Sequence, residues 1–297
     1  MPEEATPSQA RLLLATMRPA QWIKNLILFA GVVFAQELDE AGSVAVAVAA
    51  FCVFCAIASA IYIVNDVADS EQDSRHPLKR HRPLASGALQ RGNALGAALA
   101  LGVAGLVAAF WLRPTFGLVA LSYVIISLAY SFALKRVVIL EAFCVASGFV
   151  LRALGGAVVI HVPISEWLLV CTILLALFLA LSKRRHELIL LGENASAHRD
   201  ILAHYTPRLL DQMIAVVTSS TVMAYCLYTM WPETVEKFGT TRLMYTIPFV
   251  LFGIFRYLYL VHRRDAGGRP ERLLLTDMPL LLDVLCWMAA VLLILYA

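Results

Sequence analysis

The chain has 297 residues, of which 60% are hydrophobic and 15% are charged, and its formal net charge at pH 7 is +3. Its mean hydropathy is +0.76, and its apolar fraction exceeds the roughly 45–50% that is typical of soluble domains. The composition therefore excludes an ordinary soluble globular protein. It predicts an all-α, polytopic membrane protein, because a helix satisfies its own backbone hydrogen bonds in lipid.

Long apolar segments follow one another along the whole chain. A spanning helix needs about 20 apolar residues, and on this criterion we predict nine spans in a single transmembrane domain, 1–297, whose N-terminal residues 1–17 are flexible. The polar N-terminus does not resemble a cleavable signal peptide. The predicted spans cover approximately residues 21–36, 43–64, 93–112, 115–133, 138–160, 166–182, 209–230, 243–262 and 277–296.

Basic residues are distributed unevenly between the two sides of this predicted topology. Most of the 24 Lys and Arg residues fall in segments on the same side as the N-terminus. Cytoplasmic loops carry such an excess. We therefore expect the N-terminus and the functional site to face the cytoplasm.

The second predicted span ends in the acidic stretch NDVADSEQD, residues 65–73. If this stretch is helical, Asp66, Asp69 and Asp73 lie at i, i+3 and i+7 on one face, within about 60° of one another, and Asn65 borders them. Three adjacent carboxylates repel each other unless a cation lies among them, and oxygen ligands of this kind suit Mg²⁺. A solvated acidic loop neutralised by nearby bases is the alternative. We predict a Mg²⁺ site.

A basic loop, SRHPLKRHRPLASG over residues 74–87, follows immediately. Lys79, Arg80 and Arg82 supply positive charges and planar guanidinium groups that match phosphate oxygens. An acidic metal site followed by such a loop is typical of a clamp for a diphosphate group.

These motifs resemble the UbiA superfamily of intramembrane prenyltransferases. The resemblance rests on RPAQWIKN (18–25), the NDxxDxxxD pattern of 65–73 and HPLKRHRPLASG (76–87). It implies nine transmembrane helices around a cavity that opens to the cytoplasm and laterally to lipid.

The chain departs from the usual superfamily pattern in the loop after the sixth span. A second motif, DxxxD, is typical there, but this chain has the cationic opening SKRRHE, residues 182–187. This variant resembles the branch that transfers 5-phosphoribose from phosphoribosyl pyrophosphate to decaprenyl phosphate, as do YSFALK (130–135) and FVLRALGG (149–156). The resemblance implies a Mg²⁺-dependent glycosyltransferase of the bacterial cytoplasmic (inner) membrane that releases pyrophosphate and supplies cell-wall arabinan synthesis. The implied partners are polyprenyl phosphate, phosphoribosyl pyrophosphate and membrane lipid, without nucleic acid, and a homo-oligomer is left open.

The site residues follow from these motifs and from ionisable groups near span ends, and Asp66, Asp69 and Asp73 are also the predicted metal ligands. The predicted catalytic residues are Asp66, Asp69, Asp73, Lys183 and Glu187. The predicted substrate-binding residues are Lys24, Asn65, Lys79, Arg80, Arg82, Tyr130, Lys135, Arg152, Arg184 and Tyr205.

Several of these residues also have structural interpretations. Lys183 and Glu187 can pair at i, i+4 on a helix surface, and Lys135 can extend to the membrane interface. Glu141 and Arg152 are expected to face the bundle interior, where each pairs with a structural partner or contacts substrate. For Asp277 a helix N-cap is favoured over catalysis.

Two other functions stay open. One is a standard prenyltransferase that moves a polyprenyl group from its diphosphate to an aromatic or other acceptor, although the missing DxxxD motif argues against it. The other is a transporter or lipid-binding protein with a charged cavity, although no inverted repeat is visible.

Overall fold

A computed structural model describes residues 8–75, 77, 79–191, 200–263, 268 and 270–296. These residues form helices joined by turns and contain no strand. Within the described residues, four 3-10 helices cover Pro19–Phe29, Leu134–Arg136, Asp200–His204 and Arg242–Thr246. The α-helices are α1 Gln9–Met17, α2 Ala30–Phe34, α3 Ala41–Ala68, α4 Ser70–Ser74, α5 Arg91–Leu112, α6 Pro114–Phe132, α7 Leu140–Val159, α8 Glu166–Leu191, α9 Pro207–Met230, α10 Pro232–Phe238, α11 Ile247–Arg263, α12 Pro270–Thr276 and α13 Met278–Tyr296.

Eight helical segments in the described part of the chain are long and apolar enough to cross a membrane. They are α3, α5, α6, α7, α8, α9, the segment Arg242–Arg263 that includes α11, and α13. They correspond to eight of the nine predicted spans, so the chain is an integral membrane protein.

The first predicted span, 21–36, has a different form. It is the 3-10 helix Pro19–Phe29, of 11 residues, continued by the 5 residues of α2. A 3-10 helix rises about 2.0 Å per residue and an α-helix about 1.5 Å, so together they extend about 30 Å. That length matches the hydrocarbon core of a bilayer, although the segment contains fewer residues than an α-helical span.

The N-terminal segment is helical where flexibility was expected. Ser8 caps α1 by accepting a hydrogen bond from the backbone N–H of Arg11. Leu12, Leu13 and Met17 of α1 then pack against the buried cluster around Ile63 of α3. The prediction of flexibility over 1–17 is therefore not supported for Gln9–Met17, because these apolar side chains have a surface to cover; residues 1–7 lie outside the described residues.

The spanning segments pack in an order that encloses a central space. Helices α3, α5, α6, α7, α8 and α9 contact one another largely in sequence order, and α11 packs on α9 and α13. The last span also reaches the first one, since the hydroxyl of Tyr296 donates to the carbonyl oxygen of Val33 at 3.1 Å and the side-chain amide of Gln36 donates to the carbonyl oxygen of Leu295 at 2.6 Å.

Two glycines allow the first span to lie directly against α7. A Cβ atom added to Gly156 would lie 1.9 Å from the carbonyl oxygen of Leu28, and one added to Gly31 would lie 2.7 Å from the backbone of Gly156. Both neighbouring groups are backbone, so they cannot move aside as a side chain can. The absence of side chains at Gly31 and Gly156 is therefore what lets the two backbones come this close.

Replacing Gly156 with alanine should therefore destabilise the protein by about 1–3 kcal/mol, the usual cost of overpacking. The measurement is thermal unfolding in one detergent. Gly96 of α5 is the control, because a Cβ atom there meets no atom within 4 Å and alanine favours the helix by about 1 kcal/mol. Equal melting temperatures for the two variants would contradict this explanation of the contact.

Candidate active site

The helices enclose a cavity of about 1510 Å³. Its charged lining residues come mainly from the ends of α3, α6 and α8 and from the adjoining loops, and we call this part of the wall the charged end. The helix interiors contribute mostly apolar side chains. The predicted site residues that line the cavity are Lys24, Asn65, Asp69, Asp73, Lys79, Arg82, Tyr130, Lys135, Lys183, Arg184 and Glu187.

The acidic motif is divided between two helices. Helix α3 ends at Ala68, and Asp69 links it to the single turn of α4. Asp66 and Asp73 nevertheless converge, because Nη1 of Arg82 lies 3.0 Å from Oδ1 of Asp66 and 2.5 Å from Oδ2 of Asp73. Both carboxylates are buried, each 3% exposed. Asp66 does not itself line the cavity and adjoins it through Arg82.

Each carboxylate of the motif contacts cations that come from other parts of the chain. Asp66 also pairs with Arg18, which precedes the first span. Nζ of Lys79 lies 3.7 Å from Oδ1 of Asp73. Asp69, the most exposed of the three, contacts Lys135 with Nζ 2.5 Å from Oδ1. The cations thus come from the start of the first span, the loop after α4 and the turn after α6.

The donor atoms at this position fit a hard divalent cation. Oδ1 of Asn65 is buried and has no hydrogen-bond partner among the described residues. A buried unsatisfied acceptor is costly, and an amide oxygen beside carboxylates is a ligand type that Mg²⁺ accepts. As placed, however, the carboxylates face cations of the chain, and no group of three His, Cys, Asp or Glu in the described ranges is arranged to hold a metal. The ligand role of Asp66, Asp69 and Asp73 stays a prediction.

Arg184 of α8 is fixed by acidic side chains on two helices. The residue is 4% exposed, its Nε lies 2.5 Å from Oε1 of Glu141 on α7, and its Nη1 pairs with Glu187. Its Nη2 lies 3.5 Å from the hydroxyl of Tyr130. All three guanidinium nitrogens therefore already have partners within the protein. The structure favours a positioning role for Arg184 over the predicted phosphate contact. Its neighbour Lys183 is exposed and lines the same wall.

Two predicted substrate ligands instead hold the fold together. Arg152 is buried and does not line the cavity; it donates to Oδ1 of Asn25 at 2.6 Å, to the carbonyl oxygen of Gly148 at 2.7 Å and to the hydroxyl of Tyr123 at 2.9 Å. The buried hydroxyl of Tyr205 accepts from the backbone N–H of Ile139 at 2.8 Å. The substrate-binding predictions for both residues are therefore not supported.

Arg80 also lies outside the site. It is exposed and donates to Nε2 of its neighbour His81 at 3.2 Å. Because successive side chains of a turn point in different directions, Lys79 and Arg82 reach the acidic motif while Arg80 does not.

The expectations for two other charged residues are confirmed. Glu141 is buried in the bundle interior with Arg184 as its partner. Asp277 caps α13 by accepting from the backbone N–H of Leu280 at 3.1 Å and holds Arg256 through two hydrogen bonds of 2.9 and 2.8 Å.

Arg18 and Asp283 also line the cavity, and neither was predicted as a site residue. Arg18 could have been recognised from the sequence, because it is a cation directly before Pro19 and close to the start of the predicted span 21–36. Asp283 could also have been recognised, since a carboxylate inside an apolar helix is expensive and marks functional positions.

Together these features define an integral membrane protein with an intramembrane cavity that is charged at its helix ends and apolar within. The UbiA prenyltransferase family model matches residues 25–278, and the chain belongs to this family. The curated decaprenyl-phosphate phosphoribosyltransferase of Mycolicibacterium smegmatis is 34% identical, over 98% of this chain and 96% of that protein. The same-named protein of Mycobacterium tuberculosis is 35% identical over 94% and 92%. The fold also resembles a UbiA homolog from Archaeoglobus fulgidus bound to GPP and Mg²⁺, with a TM-score of 0.72 and 15% identity over 96% of this chain and 100% of that one.

Proposed function

We propose that the protein transfers 5-phosphoribose from phosphoribosyl pyrophosphate to decaprenyl or a similar polyprenyl phosphate and releases pyrophosphate. The charged end of the cavity faces the cytoplasm of a bacterial inner membrane in this proposal, as the distribution of basic residues predicts. The product would enter cell-wall arabinan synthesis.

One observation carries the proposal: a single cavity wall combines an acidic cluster, a cationic helix end and a large apolar surface. The donor has two phosphorylated positions and the acceptor lipid has another phosphate. A single metal site cannot contact all of these phosphates, so further cations are needed. Lys183 supplies one, at the position where the second acidic motif is typical of the family. The names of the relatives at 34% and 35% identity support the same reaction.

The reaction needs little proton transfer. The C1–O bond of the donor breaks with its electron pair on the leaving pyrophosphate, while a lone pair of the lipid phosphate oxygen forms the new bond to C1. The acceptor is already ionised, so no strong general base is required. Lys79 and Lys183, both at the charged end, bind and orient phosphate groups by charge-assisted hydrogen bonds. Glu187, paired with Arg184, accepts a hydrogen bond from a ribose hydroxyl in this proposal.

The donor set Asn65, Asp66, Asp69 and Asp73 would hold Mg²⁺. When bound, the ion would supply charge neutralisation for the leaving pyrophosphate and orient it.

The apolar part of the cavity suits an isoprenoid chain. Its wall offers aromatic and aliphatic side chains, so a tail that enters from the bilayer exchanges one apolar environment for another. Residues that line this part include Phe34, Leu175, Phe178, Val250, Trp287 and Val291.

The decisive assay uses purified protein in lipid nanodiscs. Ribose-labelled phosphoribosyl pyrophosphate and decaprenyl phosphate should give label that extracts with lipid, and removal of divalent metal with EDTA should abolish the transfer. Consumption of a prenyl diphosphate with an aromatic acceptor, without ribose transfer, would instead support the second candidate that family membership suggests. Binding of both phosphorylated substrates without product would contradict both enzymes.

A further inference from the structure

The chain's own cations occupy the carboxylates of the NDxxDxxxD motif. Arg82 joins Asp66 and Asp73, and Lys135 contacts Asp69 with Nζ 2.5 Å from Oδ1. With Arg18 on Asp66 and Lys79 near Asp73, every carboxylate of the motif has at least one cation beside it. The formal charges of these cations exceed those of the three carboxylates, so a divalent cation arriving alone would enter a neutralised or positive cluster.

A metal ion bound by Asp69 would compete with Lys135 for the same oxygen atom. Mg²⁺ binds oxygen at about 2.0–2.1 Å, and an ammonium group 2.5 Å from Oδ1 of Asp69 occupies that approach. Lys135 pairs with the most exposed carboxylate of the motif: the side chain of Asp69 is 24% exposed, whereas the carboxylates that Arg18, Lys79 and Arg82 contact are only 3% and 4% exposed. Lys135 also lines the cavity, so an anion that enters the cavity can approach this residue.

We propose that Lys135 is an exchangeable cation that couples metal binding to diphosphate binding. It holds Asp69 until a diphosphate enters, then moves to a phosphate oxygen and leaves Oδ1 of Asp69 to the metal. This inference rests on the proposed function, because it takes the donor's diphosphate as the anion that draws Lys135 away. By linkage, the diphosphate then raises the affinity for metal by the same factor as the metal raises the affinity for diphosphate.

The test compares wild type with Lys135→Met, which keeps the apolar stem of the side chain and removes its charge. Mn²⁺ serves as the metal, and electron paramagnetic resonance measures its binding to purified protein without any phosphate ligand. Radiolabelled pyrophosphate, the probe for the diphosphate, is measured separately by its retention on nanodisc-bound protein at a fixed free Mn²⁺ concentration. Neither measurement requires turnover.

The two affinities should change in opposite directions. Lys135→Met should bind Mn²⁺ alone several-fold more tightly, because its competitor is gone, and should retain pyrophosphate about tenfold more weakly, because a charge-assisted contact is lost. The control, Lys237→Met, removes a cation that lies outside the cavity lining and should match wild type. Damage to the fold would lower both affinities together.

Unchanged or weaker Mn²⁺ binding in Lys135→Met would overturn the inference. The outcome is separable from that of the proposed function. If phosphoribose transfer occurs but Lys135→Met binds Mn²⁺ like wild type, only the exchange fails. If no phosphoribose is transferred but the opposite changes are seen, the exchange holds and the donor assignment is wrong.

Discussion

Replacing Asp69 with asparagine should lower turnover by about two to three orders of magnitude. Asparagine keeps the size of the side chain but removes the negative charge, and charge neutralisation by a bound metal is worth several kcal/mol at a transition state; each 1.36 kcal/mol changes the rate tenfold. Asp69 is chosen because it lines the cavity and its side chain is 24% exposed. Loss of its charge should therefore affect the site more than the fold. The measurement is the initial rate of label transfer at saturating substrates over a series of Mg²⁺ concentrations.

Glu71 provides the matched control. It is an acidic residue two positions further along the chain, on α4, and it is exposed and absent from the cavity wall. Glu71→Gln removes the same charge from the same region and should leave the rate within about twofold, because a surface substitution of this kind is usually near neutral. If Asp69→Asn also retains a rate near that of wild type, the proposed metal role of the acidic motif is wrong.

Sequence could predict those parts of the site whose residues lie close together along the chain. The i, i+3, i+7 pattern identified Asp66, Asp69 and Asp73 as one cluster, and the adjacent basic loop identified Lys79 and Arg82 as its neighbours. The prediction was incomplete even here, because α3 ends before Asp69 and turns this side chain toward Lys135 instead of keeping it with the other two carboxylates.

Roles that depend on distant partners could not be read in the same way. From the sequence, Arg152 was interpreted as a substrate ligand. In the structure it donates to Asn25, which is 127 positions away in the sequence. Arg184 likewise meets Glu141, 43 positions earlier. Burying an unpaired charge costs much free energy, so a partner for each residue was predictable. The identity of that partner depended on how the helices pack.

The pair formed by Arg184 and Glu141 gives the second large expected effect. Arg184→Gln would leave the buried carboxylate of Glu141, 0% exposed, without its cation, and breaking a buried pair in this way costs about 3–5 kcal/mol. Arg185→Gln is the matched control on the same helix, since it leaves behind Asp211, whose side chain is 39% exposed and stays hydrated without its partner, so the loss should be closer to the roughly 0–1 kcal/mol of exposed pairs. Thermal unfolding in one detergent should show a large fall in melting temperature for Arg184→Gln and a small one for Arg185→Gln.

The double variant Glu141→Gln, Arg184→Gln should recover part of the loss, because it no longer buries an unpaired charge. If Arg184→Gln and Arg185→Gln have the same melting temperature, Arg184 does not anchor α8 to α7. Its guanidinium is then available to a substrate phosphate.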